Sequence, residues 1–396
     1  MPALQIYDRR ERALVSAGDA VLTAMAAAAR PFRRRSRPAD PARILLLRLE
    51  RIGDLLMALP AIADVRAAAG DAEIDLVVGS WNVEIARNVR GITRVHVVDA
   101  PWLARDQVGA TLLSLLRAAA GWRRGQFDVA VNLEPDVRTN LLLALSGARW
   151  TAGYSSAGGG SLLDQAVVYQ PTEHTVDNAR RLVRDVFGGQ PAPPDRLLAI
   201  PAARQREADV LIAGSDRPLV AMHVAGGRPV KQWDPEHFAA VARLLVDTCG
   251  ATIVLTGGPG DTALVDRMKL ALPPARIVDA SRVENLLTVG AILERCDLMV
   301  TGDTGPMHLA AAVGTPVVAV FGPSDPRRYA PRGAHDCVIR VDLPCAPCNR
   351  IRLPPARCTG RIPECLALVT PDRVFDAARS ILDRHSRGVP DRHDRR

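Results

Sequence analysis

From residue 43 onward, short apolar runs alternate with segments that have the apolar spacing of a helix. The first of these runs, 43–49 (RILLLRL), is continuous and aliphatic, which is typical of a strand buried on both faces. A helix is predicted next, over 55–69. Three more strands are expected at 74–78, 95–98 and 127–133. This β-α-β series predicts a parallel sheet covered by helices on both faces.

The series stops at a proline-rich stretch and then starts again. Residues 190–194 read Gln-Pro-Ala-Pro-Pro, a stiff connector that marks a natural domain boundary. Beyond it, strands are predicted at 219–224, 252–256, 277–279, 298–301 and 317–321. Helices are predicted at 235–249, 261–272, 284–295, 306–313 and 371–384. The pattern indicates an α/β protein with two doubly wound, parallel-sheet domains facing a cleft.

These patterns define the expected domain boundaries. A basic, Ala/Arg-rich extension precedes a first domain, and a linker connects that domain to a second one with a Cys-rich loop. A C-terminal helix and a basic tail follow. The extension is expected at 1–42, the first domain at 43–190, the linker at 191–203 and the second domain at 204–370, with its loop at 337–365. The C-terminal helix is expected at 371–385 and the basic tail at 386–396.

Composition and charge narrow the function classes. The 396 residues are 48% hydrophobic, enough for sizeable cores, but only 4% aromatic, which argues against binding surfaces made of stacked rings. The net charge of +8 comes from the ends: residues 1–43 carry +5 and 384–396 carry +3, whereas 44–383 balance at 37 basic and 37 acidic residues. A nucleic-acid enzyme is therefore not expected. The ends either bind anionic membrane lipid or are merely solvated.

Sequence signals of export are weak. No stretch reaches the roughly 18 apolar residues of a membrane span, and the N-terminus lacks a convincing signal peptide. The seven cysteines are an odd number in a long chain, and five of them lie within 337–365, unlike a secreted disulfide framework. We therefore expect a cytoplasmic protein.

The first candidate site is the turn after the first strand. Gly53 permits a tight turn, and Asp54 follows at the start of a helix, where the helix dipole favours a carboxylate. Asp54 is either a functional carboxylate or only a helix cap. Because the turn is not a Gly-x-Gly-x-x-Gly loop, the usual fingerprint of a nicotinamide dehydrogenase is missing.

Two turns of the second domain suit an anionic ligand. The loop 223–233 contains Gly226 and Lys231, one of only two lysines in the chain; Lys231 is either a phosphate-binding cation or a solvated loop residue. The turn 301–308 contains Asp303, Thr304 and Gly305 at a helix start, where free N–H groups form an anion site.

Two further features accompany these turns. His308 lies one turn into the helix that starts near Gly305, and it either faces the ligand or is an ordinary helix histidine. Gly257 and Gly258, after the second strand of this domain, either approach a ribose or base closely or serve only the turn.

In order along the chain, these segments resemble glycosyltransferase family 9, the heptosyltransferases of lipopolysaccharide core assembly. The matching segments are 48–54 (RLERIGD) with Leu59-Pro60, 223–233, 255–260, 303–311 (DTGPMHLAA), 314–316 and 321–326 (FGPSDP). The resemblance covers about residues 43–382. It implies a GT-B fold of two Rossmann-like domains and an inverting transfer from a nucleotide sugar, usually ADP-heptose, to a lipid-linked or core oligosaccharide.

The resemblance also implies roles for the candidate residues. Asp54 matches the general base, Lys231 the phosphate-binding lysine, Asp303 the acid that contacts donor hydroxyls, and Thr304 with Gly305 the backbone phosphate site. The chain contains no Asp-x-Asp, so no metal is expected in the transfer. The loop 132–138 departs from the family pattern on the acceptor side, which leaves the acceptor open.

The Cys-rich loop offers a separate site. Cys345, Cys348, Cys358 and Cys365 have spacings that suit a tetrahedral Zn or Fe site, as in relatives that glycosylate autotransporter proteins; reduced thiols and disulfides are the alternatives. Two other functions therefore stay open beside lipopolysaccharide heptose transfer. One is protein heptosylation with a four-Cys metal finger, and the other is a catalytically silent nucleotide-sugar-binding protein.

Overall fold

The computed structural model describes residues 9–29, 36–103, 111–193 and 197–388. The chain divides into two compact units, Met1–Ala199 and Ile200–Arg396. Each unit contains a six-stranded sheet whose paired strands all run parallel. The predicted α/β class with two doubly wound parallel sheets is therefore confirmed.

The first unit builds its sheet around a fully buried central strand. Its strands are β1 (Arg43–Leu47), β2 (Glu73–Val78), β3 (Arg94–Val97), β4 (Val129–Asn132), β5 (Trp150–Tyr154) and β6 (Gln165–Val167), in the order β3-β2-β1-β4-β5-β6. Its helices are α1 (Arg9–Ala29), α2 (Ile52–Ala69), α3 (Val83–Ala86), α4 (Leu112–Gly121), α5 (Val137–Leu145) and α6 (Thr175–Phe187). The aliphatic side chains of β1 are 0% exposed, because helices cover both faces of the sheet.

The second unit repeats this plan. Its strands are β7 (Leu219–His223), β8 (Thr252–Thr256), β9 (Ile277–Asp279), β10 (Leu298–Gly302), β11 (Val317–Val320) and β12 (Cys337–Ile339), in the order β12-β11-β10-β7-β8-β9. Its helices are α7 (Ala202–Ile212), α8 (Pro235–Cys249), α9 (Thr262–Leu270), α10 (Leu286–Arg295), α11 (Gly305–Val313), α12 (Pro326–Tyr329), α13 (Glu364–Ala367) and α14 (Pro371–Gly388). Trp233 and Phe238 anchor its core against α14.

The pattern of apolar runs did not predict several of these elements, and four of them show why. β5 (WTAGY) lacks a continuous aliphatic run, and β6 and β12 are three residues long and only partly buried. The fourth element, α1, lies within the extension of basic and alanine residues. The predicted linker also contains the start of α7 at Ala202.

The strand orders determine where ligands bind. In each unit the order of connection reverses beside the first strand, between β1 and β4 and between β7 and β10. Open parallel sheets bind ligands beyond the carboxyl ends of the strands at this switch point. The predicted turns after β1, β7 and β10 lie at these switch points, and the turn after β8 lies at the same sheet edge beside β7.

Candidate active site

Asp54 lies in the first turn of α2, directly beyond the carboxyl end of β1. Its Oδ2 accepts a hydrogen bond from the Arg51 backbone N–H at 3.2 Å, so it closes the helix N-terminus as the cap interpretation requires. Its side chain is nevertheless 29% exposed, and Oδ1 lies 3.5 Å from Nη2 of Arg48. The carboxylate therefore caps the helix, contacts a cation and still reaches solvent. Gly53 precedes it in the same turn.

The cation beside Asp54 is buried. Arg48 is 3% exposed, and its Nη1 lies 3.1 Å from Oε2 of Glu50. Its Nε donates to the Asp54 carbonyl oxygen at 3.2 Å, and Nη1 donates to the Leu133 carbonyl oxygen. Desolvation lowers the pKa of Arg48, but Glu50, Asp54 and other neighbours outweigh it, and the pKa is raised overall. Arg48 therefore stays charged and fixes one side of Asp54.

A buried carboxyl just after β4 completes this cluster. Glu134 is 1% exposed, and its Oε1 accepts hydrogen bonds from the backbone N–H groups of Leu49 and Glu50, the latter at 2.8 Å. Burial is the main cause that raises the pKa of Glu134 to about 8, the nearby Glu50 raises it further, and Arg48 partly opposes both. Burial thus favours the protonated form of Glu134, and its Oε1 holds the β1–α2 turn through the Leu49 and Glu50 N–H groups.

The turn is also held from the side of β2. The Glu50 carbonyl oxygen accepts hydrogen bonds from Nε1 of Trp81 and Nδ2 of Asn82, both at 2.8 Å. The guanidinium of Arg51 lies 5.2 Å from the centre of the Trp81 ring. The backbone that presents Asp54 is thus fixed by the segments that follow β2 and β4, which preorganises it.

In the second unit, Lys231 and Asp303 form an ion pair. Lys231 Nζ lies 2.7 Å from Asp303 Oδ2, and the two side chains are 19% and 10% exposed. Lys231 ends a single 3-10 turn after β7, whereas Asp303 follows β10. The strands pair in parallel, so residues 72 positions apart meet at the switch point.

The α11 N-terminus lies next to this pair. Thr304 is its N-cap residue and makes no side-chain cap hydrogen bond; its hydroxyl instead lies 3.2 Å from the Thr301 hydroxyl. Gly305 is the first helical residue, and His308 is buried one turn later. Backbone N–H groups at such a helix start, beside a lysine, suit an anion.

The predicted glycines shape the loops around this point. A Cβ at Gly226 would lie 3.0 Å from the Gln232 backbone nitrogen, so a larger residue would push the Lys231 loop apart. At Gly257 an added Cβ would meet Val265 at 3.2 Å, and Gly258 donates its N–H to Asp261 at 2.8 Å. Gly257 and Gly258 therefore have structural contacts at the end of β8, beside β7.

Comparison with known proteins agrees with this arrangement. The family model Glycosyltransferase family 9 (heptosyltransferase) matches residues 116–354, more than half of the chain. The chain belongs to this family. The family is one of enzymes, so the chain is a glycosyltransferase, and the silent binding protein is not favoured.

Individual family 9 relatives are distant. The chain is 24% identical over 306 residues to the lipopolysaccharide core heptosyltransferase OpsX of Haemophilus influenzae, covering 76% of this chain and 85% of that one. The solved structure of Escherichia coli ADP-heptose lps heptosyltransferase II matches with a TM-score of 0.70 at 21% identity, over 87% of this chain and 99% of that one. These structural matches and the two sheets give the GT-B fold.

The cysteine prediction has a mixed outcome. Cys345, Cys348, Cys358 and Cys365 line one cavity of about 240 Å³. Burial, with the other three thiols of the set, raises the pKa of Cys365 to about 11. Within 9–29, 36–103, 111–193 and 197–388, however, no three His, Cys, Asp or Glu side chains are arranged to hold a metal ion. The thiols share a cavity without forming a ligand shell.

A further solved structure bears on this loop. The iron-containing dodecameric glycosyltransferase TibC of enterotoxigenic Escherichia coli matches with a TM-score of 0.52 at 15% identity, over 88% of this chain and 81% of that one. At this identity the match shows the shared fold alone.

The structure thus joins some of the predicted residues and adds others. Lys231 and Asp303 are in direct contact, and Thr304 follows Asp303 in the sequence. Sequence reasoning missed the roles of Arg48 and Glu134, although Arg48 interrupts an aliphatic run and Glu134 follows one, which are positions where burial could have been inferred. Among the described residues, no helix is long and apolar enough to cross a membrane.

Proposed function

We propose that this family 9 enzyme transfers a heptose from ADP-heptose to a lipopolysaccharide core or related lipid-linked glycan. The observation that carries the proposal is the repeated strand order, which puts Asp54 at the switch point of one sheet and Lys231 with Asp303 at that of the other. The names of the relatives support heptose as the sugar, lipopolysaccharide core as the acceptor and ADP-heptose as the donor.

On the acceptor side, Asp54 acts as the general base. It accepts the proton of the attacking hydroxyl while the oxygen bonds to the anomeric carbon of the sugar, which inverts the configuration there. Arg48 supports this role because its buried guanidinium, 3.5 Å from Oδ1, holds the Asp54 carboxylate in a fixed orientation. The partial exposure of Asp54 leaves room for a hydroxyl to reach it.

On the donor side, the bond from the anomeric carbon to the diphosphate oxygen breaks, and the diphosphate leaves with the electron pair. Lys231 and the N–H groups at the start of α11 stabilise its negative charge. Asp303 orients the Lys231 ammonium and accepts hydrogen bonds from donor hydroxyls. His308, Gly226, Gly257 and Gly258 shape the donor subsite. No metal takes part in the transfer.

The test compares Asp54→Asn with the intact enzyme in an ADP-heptose transfer assay. The asparagine can still accept the Arg51 N–H hydrogen bond, so the helix start is kept, but it cannot take up a proton. We expect kcat to fall by about 10²–10⁴-fold with ADP-heptose affinity retained in calorimetry. Asp71→Asn, an exposed acid of the same unit, is the matched control.

Unchanged turnover in Asp54→Asn would overturn the base assignment. A thermal-shift screen with ADP-, GDP- and UDP-sugars tests the donor separately, since only a bound donor raises the melting temperature. Stabilisation by a GDP- or UDP-sugar but not by ADP-heptose would refute the donor.

A peripheral position on the cytoplasmic face of the inner membrane is part of the proposal. The acceptor would be presented there, and the Arg-rich ends favour anionic lipid by about 1 kcal/mol for each arginine near the surface.

A second candidate is protein heptosylation with a structural Zn or Fe on the Cys-rich loop. The observation that favours it is the convergence of Cys345, Cys348, Cys358 and Cys365 on one cavity, because soft thiolates suit these metals. Four thiolates repel one another, so a cation would allow them to ionise together. Metal analysis of the purified chain should find one Zn or Fe per chain, lost in the four-fold Cys→Ser variant. A metal-free chain would refute this candidate.

A further inference from the structure

Helix α1 carries a row of exposed apolar side chains on one side. Leu14, Val21 and Met25 are 75%, 60% and 64% exposed. Their spacings of seven and four residues put them on one face of the helix. We call these three residues the apolar stripe. Single exposed aliphatic residues are ordinary, but a row on one helix face marks an interaction surface.

The other side of α1 is attached to the first unit. Asp19 Oδ1 accepts a hydrogen bond from the Gly159 N–H at 2.6 Å. Val15 packs on Gly158, where an added Cβ would lie 3.1 Å from its Cγ1. Asp19 and Val15 therefore attach the helix, and the apolar stripe does not take part in this attachment.

The attachment places the stripe near the acceptor side. Gly158 and Gly159 belong to the loop that follows the carboxyl end of β5. Since β1, β4 and β5 are parallel neighbours, this loop lies at the same edge of the sheet as the turn that carries Asp54. The stripe thus lies on the side of the first unit where a lipid-linked acceptor would react.

The charge of the neighbouring sequence indicates which partner binds the apolar stripe. Residues 1–29 balance at three arginines and three acidic residues, whereas residues 30–43, directly after α1 in the chain, contain six arginines and one acidic residue. Within α1, Arg10 lies one helical turn before Leu14 on the same side. Two copies of the chain meeting through α1 would bring these positive segments together, which is repulsive. An anionic lipid surface attracts them and also takes up apolar side chains at its interface.

We propose that α1 is a membrane-docking helix, whose apolar stripe inserts into the interface of an anionic bilayer beside the acceptor edge. The choice of a lipid-linked acceptor rests on the proposed function, whereas the binding of α1 to lipid does not depend on it. Insertion would hold the β1 edge of the sheet near the sugars of a lipid-anchored acceptor.

The test is sedimentation of the full chain with vesicles of phosphatidylethanolamine and phosphatidylglycerol (about 70:30) and of pure phosphatidylcholine. The stripe variant combines Leu14→Gln, Val21→Gln and Met25→Gln, because glutamine keeps helix propensity and these side chains are exposed. Val210→Gln with Leu270→Gln is the control, since both residues are at least as exposed but lie in the second unit.

We expect the intact chain to bind the anionic vesicles in preference to phosphatidylcholine. In the stripe variant, the partition coefficient for the anionic vesicles should fall more than about tenfold. The control should partition like the intact chain. Turnover of a delipidated core oligosaccharide should be unchanged in the stripe variant, whereas turnover of vesicle-bound acceptor should fall.

Equal partitioning of the stripe variant and the intact chain would overturn the proposal. So would a stripe variant that binds vesicles normally but loses self-association in light scattering, because the stripe would then join two copies. If the intact chain turns over neither acceptor, the proposed function fails, but the vesicle comparison still decides the role of α1.

Discussion

Replacing Glu134 by glutamine should change how the stability of the first unit depends on pH. The Glu134 carboxyl is 1% exposed and accepts backbone N–H groups through Oε1, a role that a glutamine oxygen can keep. Burial raises its pKa from about 4.5 to about 8. The folded unit therefore holds up to one more proton than the unfolded chain between these values.

The sign and size of the effect follow from that difference. A raised pKa contributes stability that is fully present below about pH 4.5 and is lost as the pH rises through about 8. The free energy of unfolding should fall by up to about 1.4 kcal/mol per pH unit within this window, or on the order of 2–5 kcal/mol in total. Glu134→Gln removes this loss. The difference in the free energy of unfolding between the variant and the intact chain should therefore grow in favour of the variant from pH 5 to pH 8.

Urea unfolding followed by tryptophan fluorescence measures this slope. Four of the five tryptophans lie in the first unit, so the signal reports mainly on it. Glu84→Gln, an exposed glutamate of the same unit, is the matched control and should follow the intact chain. If the curves for Glu134→Gln and the intact chain are parallel from pH 5 to pH 8, the buried carboxyl is ionised throughout and the reasoning is wrong.

Two further predictions concern the second unit. Lys231→Met should lower kcat for heptose transfer by about 10²-fold or more, because it removes the cation that stabilises the leaving diphosphate. Lys269→Met, which replaces the only other lysine, is the control and should leave turnover unchanged. An equal loss of turnover in both variants would contradict the role of Lys231. Asp325→Asn should destabilise the unit by about 1 kcal/mol at pH 7, since Arg327 holds the pKa of Asp325 below its usual range. A depressed pKa gives stability that is lost as the pH falls through the folded value. The difference between Asp325→Asn and the intact chain in thermal unfolding should therefore vanish in strong acid, and a constant difference would refute it.

The central strands were predictable because their physical cause is local. β1, β8 and β10 are buried on both faces, so their sequences are continuous aliphatic runs, and the predicted and observed bounds agree within two residues. β6 has no such signal, because a three-residue edge strand with an exposed centre requires little apolar sequence. The turns were predictable for the same local reason, since glycines and helix starts follow directly from the strands.

The interactions inside the site were not predictable. The Lys231–Asp303 ion pair joins residues 72 positions apart, and Glu134 reaches Glu50 across 84 positions. Only the parallel pairing of β7 with β10 and of β1 with β4 brings them together. The aliphatic run before Glu134 indicates burial, but its pKa also depends on Glu50 and Arg48, which the sequence next to Glu134 does not place beside it.

The shortage of lysine has a practical consequence for the ion pair at the end of β7. Lys231 and Lys269 are the only lysines in the chain, and the latter pairs with Asp279 at a different strand. Reductive ¹³C-methylation would therefore place NMR labels at two side chains plus the chain terminus. One lysine resonance would report the ammonium beside Asp303, and the other would serve as an internal reference, so that nucleotide-sugar titrations could be followed in a 42.6 kDa protein without isotope labelling of the whole chain.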